Sequence, residues 1–289
     1  QGCGASELLP EPALRAGRQA LGAGNLGEAR ALLRSALEHA VGPTRETALE
    51  LAARANQLLG HHDEAQEQLR ALLDEAAGPA LTARAQSALG RSLVALGRYA
   101  DALPFLQAAA ALHEQGLPDS ACELARTAST LGRLADVVPD LEPPSLDGDA
   151  LLAAVSTPHD RYVVAVSLGF LTTRAGDHAD ALRLLRIALG AARSANHRPG
   201  IVTTLFDLGW TERRAGDLDA AAAHLRECLT LAGALGRKPM LARVHNELGE
   251  LRRVAGDLAA GRRHYEAAVA LATHVDGPEP LVAELNLAV

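Results

Sequence analysis

Phe206, Trp210 and Arg213 stand at i, i+4 and i+7, a spacing that puts two aromatic rings and a guanidinium on one stripe of a single helix. Side chains of these types carry much of the binding energy of protein interfaces, and a guanidinium grips a carboxylate through two hydrogen bonds. The chemistry on offer is recognition rather than bond making. Other reactive types do not converge. His61, His62, Asp63 and Glu64 are metal-ligating by type, but adjacent side chains at a helix–turn boundary diverge, and a solvated turn accounts for them better. Cys3, Cys122 and Cys228 are far apart and odd in number, which fits neither a disulfide framework nor paired zinc ligands and points to a reducing compartment. The glycine-rich GAGNLG at 22–27 follows no strand and lacks the Lys-Ser/Thr of a phosphate-cradling loop. No frame brings Ser, His and Asp together as a catalytic group. The expectation is a chain that is not an enzyme and takes no cofactor and no metal.

The elements that position the Phe206 stripe are legible from composition and repetition. Apolar residues make up 48% of the 289, which excludes disorder, yet aromatics are only 2% and Ala and Leu dominate. That mix suits helices packed closely through small side chains. The net charge is −7, with the excess acid ahead of residue 160 and near balance after it. No basic stripe supports nucleic-acid or anionic-membrane binding, and charged helix faces in the acidic half read as solvated surface. There is no run of about 18 apolar residues that would span a membrane. The chain opens on Gln1 and stops at Val289 within an apparent new helix, so a piece of a longer protein is expected.

Three copies of one pattern follow at 40-residue intervals: VSLGFLTTRAGDHADALRLLRIAL from Val166, FDLGWTERRAGDLDAAAAHLRECL from Phe206, and NELGELRRVAGDLAAGRRHYEAAV from Asn246. Each has Leu-Gly, then Ala-Gly-Asp, then apolar positions at helical spacing, which reads as two antiparallel helices joined by a glycine turn with an aspartate cap. Gly209 and Ala221 are small where the two helices should cross closely. Cys228 takes the small buried position of Ala188 and Ala268, so it reads as packing. Gly24, Gly60, Gly97 and Gly132 mark weaker turns upstream of Gly176, Gly216 and Gly256. Pro139 interrupts the copy around Gly132. Residues 142–160, with adjacent prolines and a Ser/Asp/Gly cluster, read as a joint between sub-arrays at 1–141 and 161–289. A single helical hairpin cannot bury its apolar face, so neighbours must stack.

The Leu-Gly, Gly-Asp, Ala and Ala-Leu positions resemble the tetratricopeptide repeat family over nearly the whole chain, with seven copies and the opening of an eighth at 285–289. The repeats are longer than that family's usual 34 residues and lack its early aromatic, like the variant found in bacterial regulators. The resemblance implies an all-α, right-handed superhelical solenoid of antiparallel helix pairs whose first helices line a concave face. It places Phe170, Arg174, Phe206, Trp210, Arg213, Arg214, Arg243, Asn246 and Arg253 on that face. The function so implied is a cytoplasmic protein–protein interaction module, a sensor or scaffold region of a larger bacterial regulatory protein. Its ligand would be a peptide or partner domain with apolar anchors and an acidic or C-terminal carboxylate group. Two alternatives stand beside it. The rings fill the inside of a tight superhelix while the arginines pair with neighbours such as Glu212 and Glu250, or the array is a structural arm that packs on its own effector domain or on a second copy.

Overall fold

The structure is a computed structural model that describes residues 10–23, 25–117 and 120–272. The chain divides into two compact units, residues 1–123 and 124–289. The first holds α1 (Pro10–Gly22), α2 (Leu26–His39), α3 (Gly42–Leu59), α4 (His62–Glu75), α5 (Pro79–Ala95) and α6 (Tyr99–His113). Helix α7 (Ala121–Leu134) starts at the boundary, and the second unit continues with α8 (Gly148–Ala153), α9 (Pro158–Ala175), α10 (His178–Ser194), α11 (Arg198–Ala215), α12 (Leu218–Ala234), α13 (Lys238–Val254) and α14 (Leu258–Ala272). Among the described residues there is no strand, and no helix is long and apolar enough to cross a membrane.

Within each unit helices pair as hairpins: α1 with α2, α3 with α4, α5 with α6, α9 with α10, α11 with α12 and α13 with α14. The second helix of a pair also packs on the first helix of the next. The sequence sets each turn locally. Gly216 adopts φ 89°, a left-handed conformation that ends α11 and that a β-carbon would strain. Asp217 then accepts a hydrogen bond from the Ala220 amide at 3.1 Å, capping α12; Asp177 and Asp257 cap α10 and α14 in the same way. Pro199 and Pro239 sit in the first turns of α11 and α13, where the missing N–H costs nothing.

Packing explains the Leu-Gly pair. A β-carbon built on Gly209 would lie 2.6 Å from Leu225 Cγ and 3.2 Å from the Ala221 carbonyl oxygen. Leu225 of α12 thus seats on the bare backbone of α11, fully buried in a core with Leu205, Leu208, Val244 and Leu248. Burying such a leucine contributes about 1.5–3 kcal/mol. Gly17 with Leu33, Gly90 with Leu106 and Gly169 with Leu185 repeat the arrangement. Cys228, Ala188 and Ala268 are all fully buried, as the small-position reading requires. Gly209→Ala should lower stability by ~1–3 kcal/mol through overpacking, more than alanine's helix preference of ~1 kcal/mol returns. Gly233→Ala, with nothing within 4 Å, should instead be neutral or stabilising. Equal shifts of the two urea midpoints would remove the close-packing account.

Gly132 differs from its reading as a turn glycine. It lies inside α7, buried, at the Leu-Gly position of its copy, and the turn falls later, where Asp140 takes φ 59°. No long second helix follows α7. In its place Leu171 of α9 comes within 2.7 Å of where a Gly132 β-carbon would be, so α9 packs on α7 directly. Residues 142–160 lie within the second unit and include the one-turn-and-a-half α8, which packs on α9. The turn at Gly24 and the opening helix at 285–289 lie outside the described residues.

Candidate functional site

The residue after each Leu-Gly holds one register on the first helices, and in the second unit that register is Arg133 on α7, Phe170 on α9, Trp210 on α11 and Glu250 on α13. The rings of Phe170 and Trp210 stack with centroids 5.8 Å apart and planes 20° from parallel. Arg133 places its guanidinium carbon 4.5 Å from the Phe170 centroid. On the Trp210 ring the guanidinium is that of Arg214, at 5.3 Å; Arg243 of α13 lies 4.3 Å from the centroid of Phe206. A guanidinium held over a ring by its charge can still offer N–H donors to a second partner.

Phe170 and Phe206 are only 8% and 6% exposed, so they form the floor of this face, whereas the reading from the sequence has them presenting contact surface. They are covered where the first helices of neighbouring repeats meet, α9 on α11 and α11 on α13. Trp210 stays half-buried and Arg214 exposed. The other arginines divide into two groups. Arg174 pairs with Asp136, Arg253 with Glu250 in its own helix at 2.8 Å, and Arg213 with Glu247 at 2.9 Å. Glu212, the other neighbour in question, binds the ring of His224 at 2.7 Å instead and raises that histidine's pKa. Arg133, Arg214 and Arg243 have no carboxylate within ion-pair distance among the described residues. Asn246 is half-buried on α13.

Asp207, next to Phe206, is 2% exposed, and its Oδ2 has no hydrogen-bond partner among the described residues. Burial pushes its pKa up to about 6, against the charges of Arg133 and Arg243, which act to lower it. A hydroxyl ladder runs alongside: Thr211 donates to the Asp207 carbonyl oxygen at 2.7 Å, and Thr173 and Thr211 share a 2.8 Å hydrogen bond that ties α9 to α11 inside the core. Burial likewise holds the Tyr162 phenol and the Cys228 thiol up, each at about 12, so neither ionises near neutral pH.

Arg133 and Asp207 are the two residues of this face that the sequence reading does not name. Arg133 would follow from aligning Gly132 with Gly169 and Gly209 rather than with the turn glycines. Asp207 shares its register with Ser167 and Glu247, all polar and all buried, one place before each Leu-Gly. Elsewhere, His61 occupies the N-cap position of α4 without a side-chain capping bond, His62 reaches toward Ser92 and Glu64 pairs with Arg30, so the HHDE run diverges. Among the described residues no three His, Cys, Asp or Glu side chains gather where a metal could be held.

Residues 160–234, 82–120 and 10–35 each match a sequence family described as tetratricopeptide repeat. No curated protein sequence matches the chain. Among solved structures, NprR in complex with its cognate peptide NprX superposes with TM-score 0.61 at 14% identity, over 96% of this chain and 81% of that one. A tetratricopeptide repeat protein from Parabacteroides merdae gives TM-score 0.56 at 12% identity over 96% and 97%. The APC/C hetero-tetramer Cut9-Hcn1 gives 0.57 at 15% over 91% of this chain, which spans about half (52%) of that longer chain. Identities this low speak to the fold alone. With the repeat register, the paired helices and the matched segments in agreement, the chain carries tetratricopeptide repeats, matched in sequence over residues 10–35, 82–120 and 160–234.

Proposed function

We propose that the inner face of the first helices in the second unit receives a peptide segment or an exposed loop of a partner protein, bearing apolar groups and at least one acidic or C-terminal carboxylate group. Arrays of this family commonly serve protein or peptide interactions, and one solved structure of similar fold, NprR, holds a peptide. The observation that carries the reading is the unequal treatment of the arginines. Arg174, Arg213 and Arg253 each have a carboxylate in ion-pair contact, while Arg133, Arg214 and Arg243 lie against aromatic rings and, among the described residues, have no carboxylate within ion-pair distance. Ordering a long cationic side chain costs entropy, and ring stacking alone returns little of it at an exposed site. An incoming anion supplies the missing partner. A scaffold or sensor role in a regulatory assembly suits such a face.

The test must spare Phe206 and Arg213, whose loss would damage the core. A random peptide library with free C-termini should be selected against the chain and the enriched peptides measured on Trp210→Ala and Arg214→Ala. A half-buried aromatic at the centre of an interface is worth about 2 kcal/mol or more, so Trp210→Ala should weaken binding at least ~30-fold while the chain stays folded, as its helicity reports. No enrichment, or peptides that bind the two variants as well as the parent, would transfer the case to the structural-arm reading, in which the chain self-associates or packs on another domain.

A further inference from the structure

The peptide reading leaves open what Asp207 is for, since a buried carboxylate on the floor of an anion-binding face opposes the ligand. Its position is specific. It lies on α11 beside Phe206, whose ring carries Arg243, and the charges of Arg133 from α7 and Arg243 from α13 both act on it. Its charge also acts on the phenol of Tyr162 on α9 and the thiol of Cys228 on α12, which burial keeps in their neutral forms. Yet its Oδ2 makes no hydrogen bond, and among the described residues neither guanidinium lies within ion-pair distance of the carboxylate. A buried carboxylate not bonded to the two cations that sense it partly cancels their field without occupying their donors.

We infer that Arg133 and Arg243 form a seat for one carboxylate of the partner segment, and that Asp207 is the internal anion competing with that carboxylate for their charge. The inference rests on the peptide reading and deepens it. With Asp207 ionised, two guanidinium charges face one resident negative charge, leaving a single charge to be met: a monoanion completes the neutralisation and a dianion exceeds it. With Asp207 protonated the seat is two charges short and holds any anion more tightly. Asp207 therefore sets both the charge of the preferred partner group and the direction in which pH moves its affinity. Its upward-shifted pKa near 6 puts that change close to neutrality.

The probe is 3-phenylpropanoate, a monoanion with one apolar ring, whose own charge hardly changes above about pH 5.5 because an ordinary carboxyl titrates roughly a unit or more lower. Trp210, the chain's one tryptophan, reports occupancy through its fluorescence, and the side-chain Nε resonances of Arg133 and Arg243 report it directly by NMR. At fixed ionic strength wild type should bind about tenfold more tightly near pH 5.5 than near pH 7.5. Asp207→Asn should bind equally at the two pH values, at the tighter level. The Arg133→Gln/Arg243→Gln double variant should lose the probe at both while keeping its helicity, and 3-phenylpropanamide should not bind. Four outcomes each overturn the seat: no binding to wild type or Asp207→Asn, pH dependence that survives in Asp207→Asn, binding that survives in the double variant, or equal binding of the amide. Failure of the peptide selection with success here would remove the polypeptide partner and leave the seat; enriched peptides indifferent to Arg133 and Arg243 would do the reverse.

Discussion

Arg213→Ala is expected to cost about 3 kcal/mol of unfolding free energy near neutral pH, whereas Arg193→Ala should cost under about 1 kcal/mol. The two arginines make the same kind of bond. Each reaches a glutamate 34 residues ahead, Arg193 to Glu227 at 3.2 Å and Arg213 to Glu247 at 2.9 Å, joining neighbouring repeats. Their surroundings differ: side-chain exposures are 55% and 46% in the first pair, 16% and 11% in the second. Water screens the exposed pair and offsets its ordering cost almost fully. In the buried pair, removal of the cation leaves Glu247 among apolar groups that already push its pKa up, with Glu250 nearby adding repulsion. The carboxyl then either stays ionised at a cost or takes a proton, so the loss should shrink as pH falls. Arg213→Met combined with Glu247→Leu should recover most of the stability, because an apolar pair needs no desolvated charge. Urea unfolding of the four proteins decides the matter, and parity between Arg213→Ala and Arg193→Ala would mean the pair is solvated in solution.

Much of the repeat grammar was open to inspection in the chain itself, because each element carries its own local cause. Gly216 and Asp217 produce a turn and a cap wherever they recur, and Gly209 allows Leu225 its seat. What the pattern could not convey was which polar side chains face inward. Phe170 and Phe206 sit in the register of surface residues, but α9 packs on α11 and α11 on α13, and contacts between the first helices of neighbouring repeats are not encoded in any single repeat. The copy around Gly132 shows the other limit. With no long second helix behind it, its glycine looks like a turn marker in isolation, and only the approach of Leu171 from α9 identifies it as a packing position. That one misplacement conceals Arg133. Arginine pairing was half legible: Arg253 takes Glu250 within a helix, a local i, i+3 choice, but Arg213 passes over its own neighbours for Glu247 in the next repeat.

Asp207→Asn should stabilise the second unit at neutral pH and cease to do so in mild acid. The folded chain holds the Asp207 proton up to about pH 6, against an ordinary carboxyl value of 3.8. Below the lower value both folded and unfolded chains are protonated and the residue has no effect. Between the two the folded state binds more protons, so stability falls as pH rises, by up to about 3 kcal/mol once pH exceeds the folded value. Asparagine carries no charge and avoids that loss. Its amide inherits the unpartnered position of Oδ2, which costs about 1–2 kcal/mol, so the net gain should be about 1–2 kcal/mol near pH 7.5 and turn into a small deficit near pH 4. His224, raised by its bond to Glu212, also loses stability as pH rises, but it does so equally in both proteins and cancels in the comparison. Unfolding curves at several pH values give the difference directly. A variant less stable than wild type at about pH 7.5 would show that the ionised carboxylate is a net attraction for Arg133 and Arg243 and not a burden. Stabilisation that vanishes in acid would make Asp207 a residue retained at a cost to folding, and such a cost argues for selection by what the face binds.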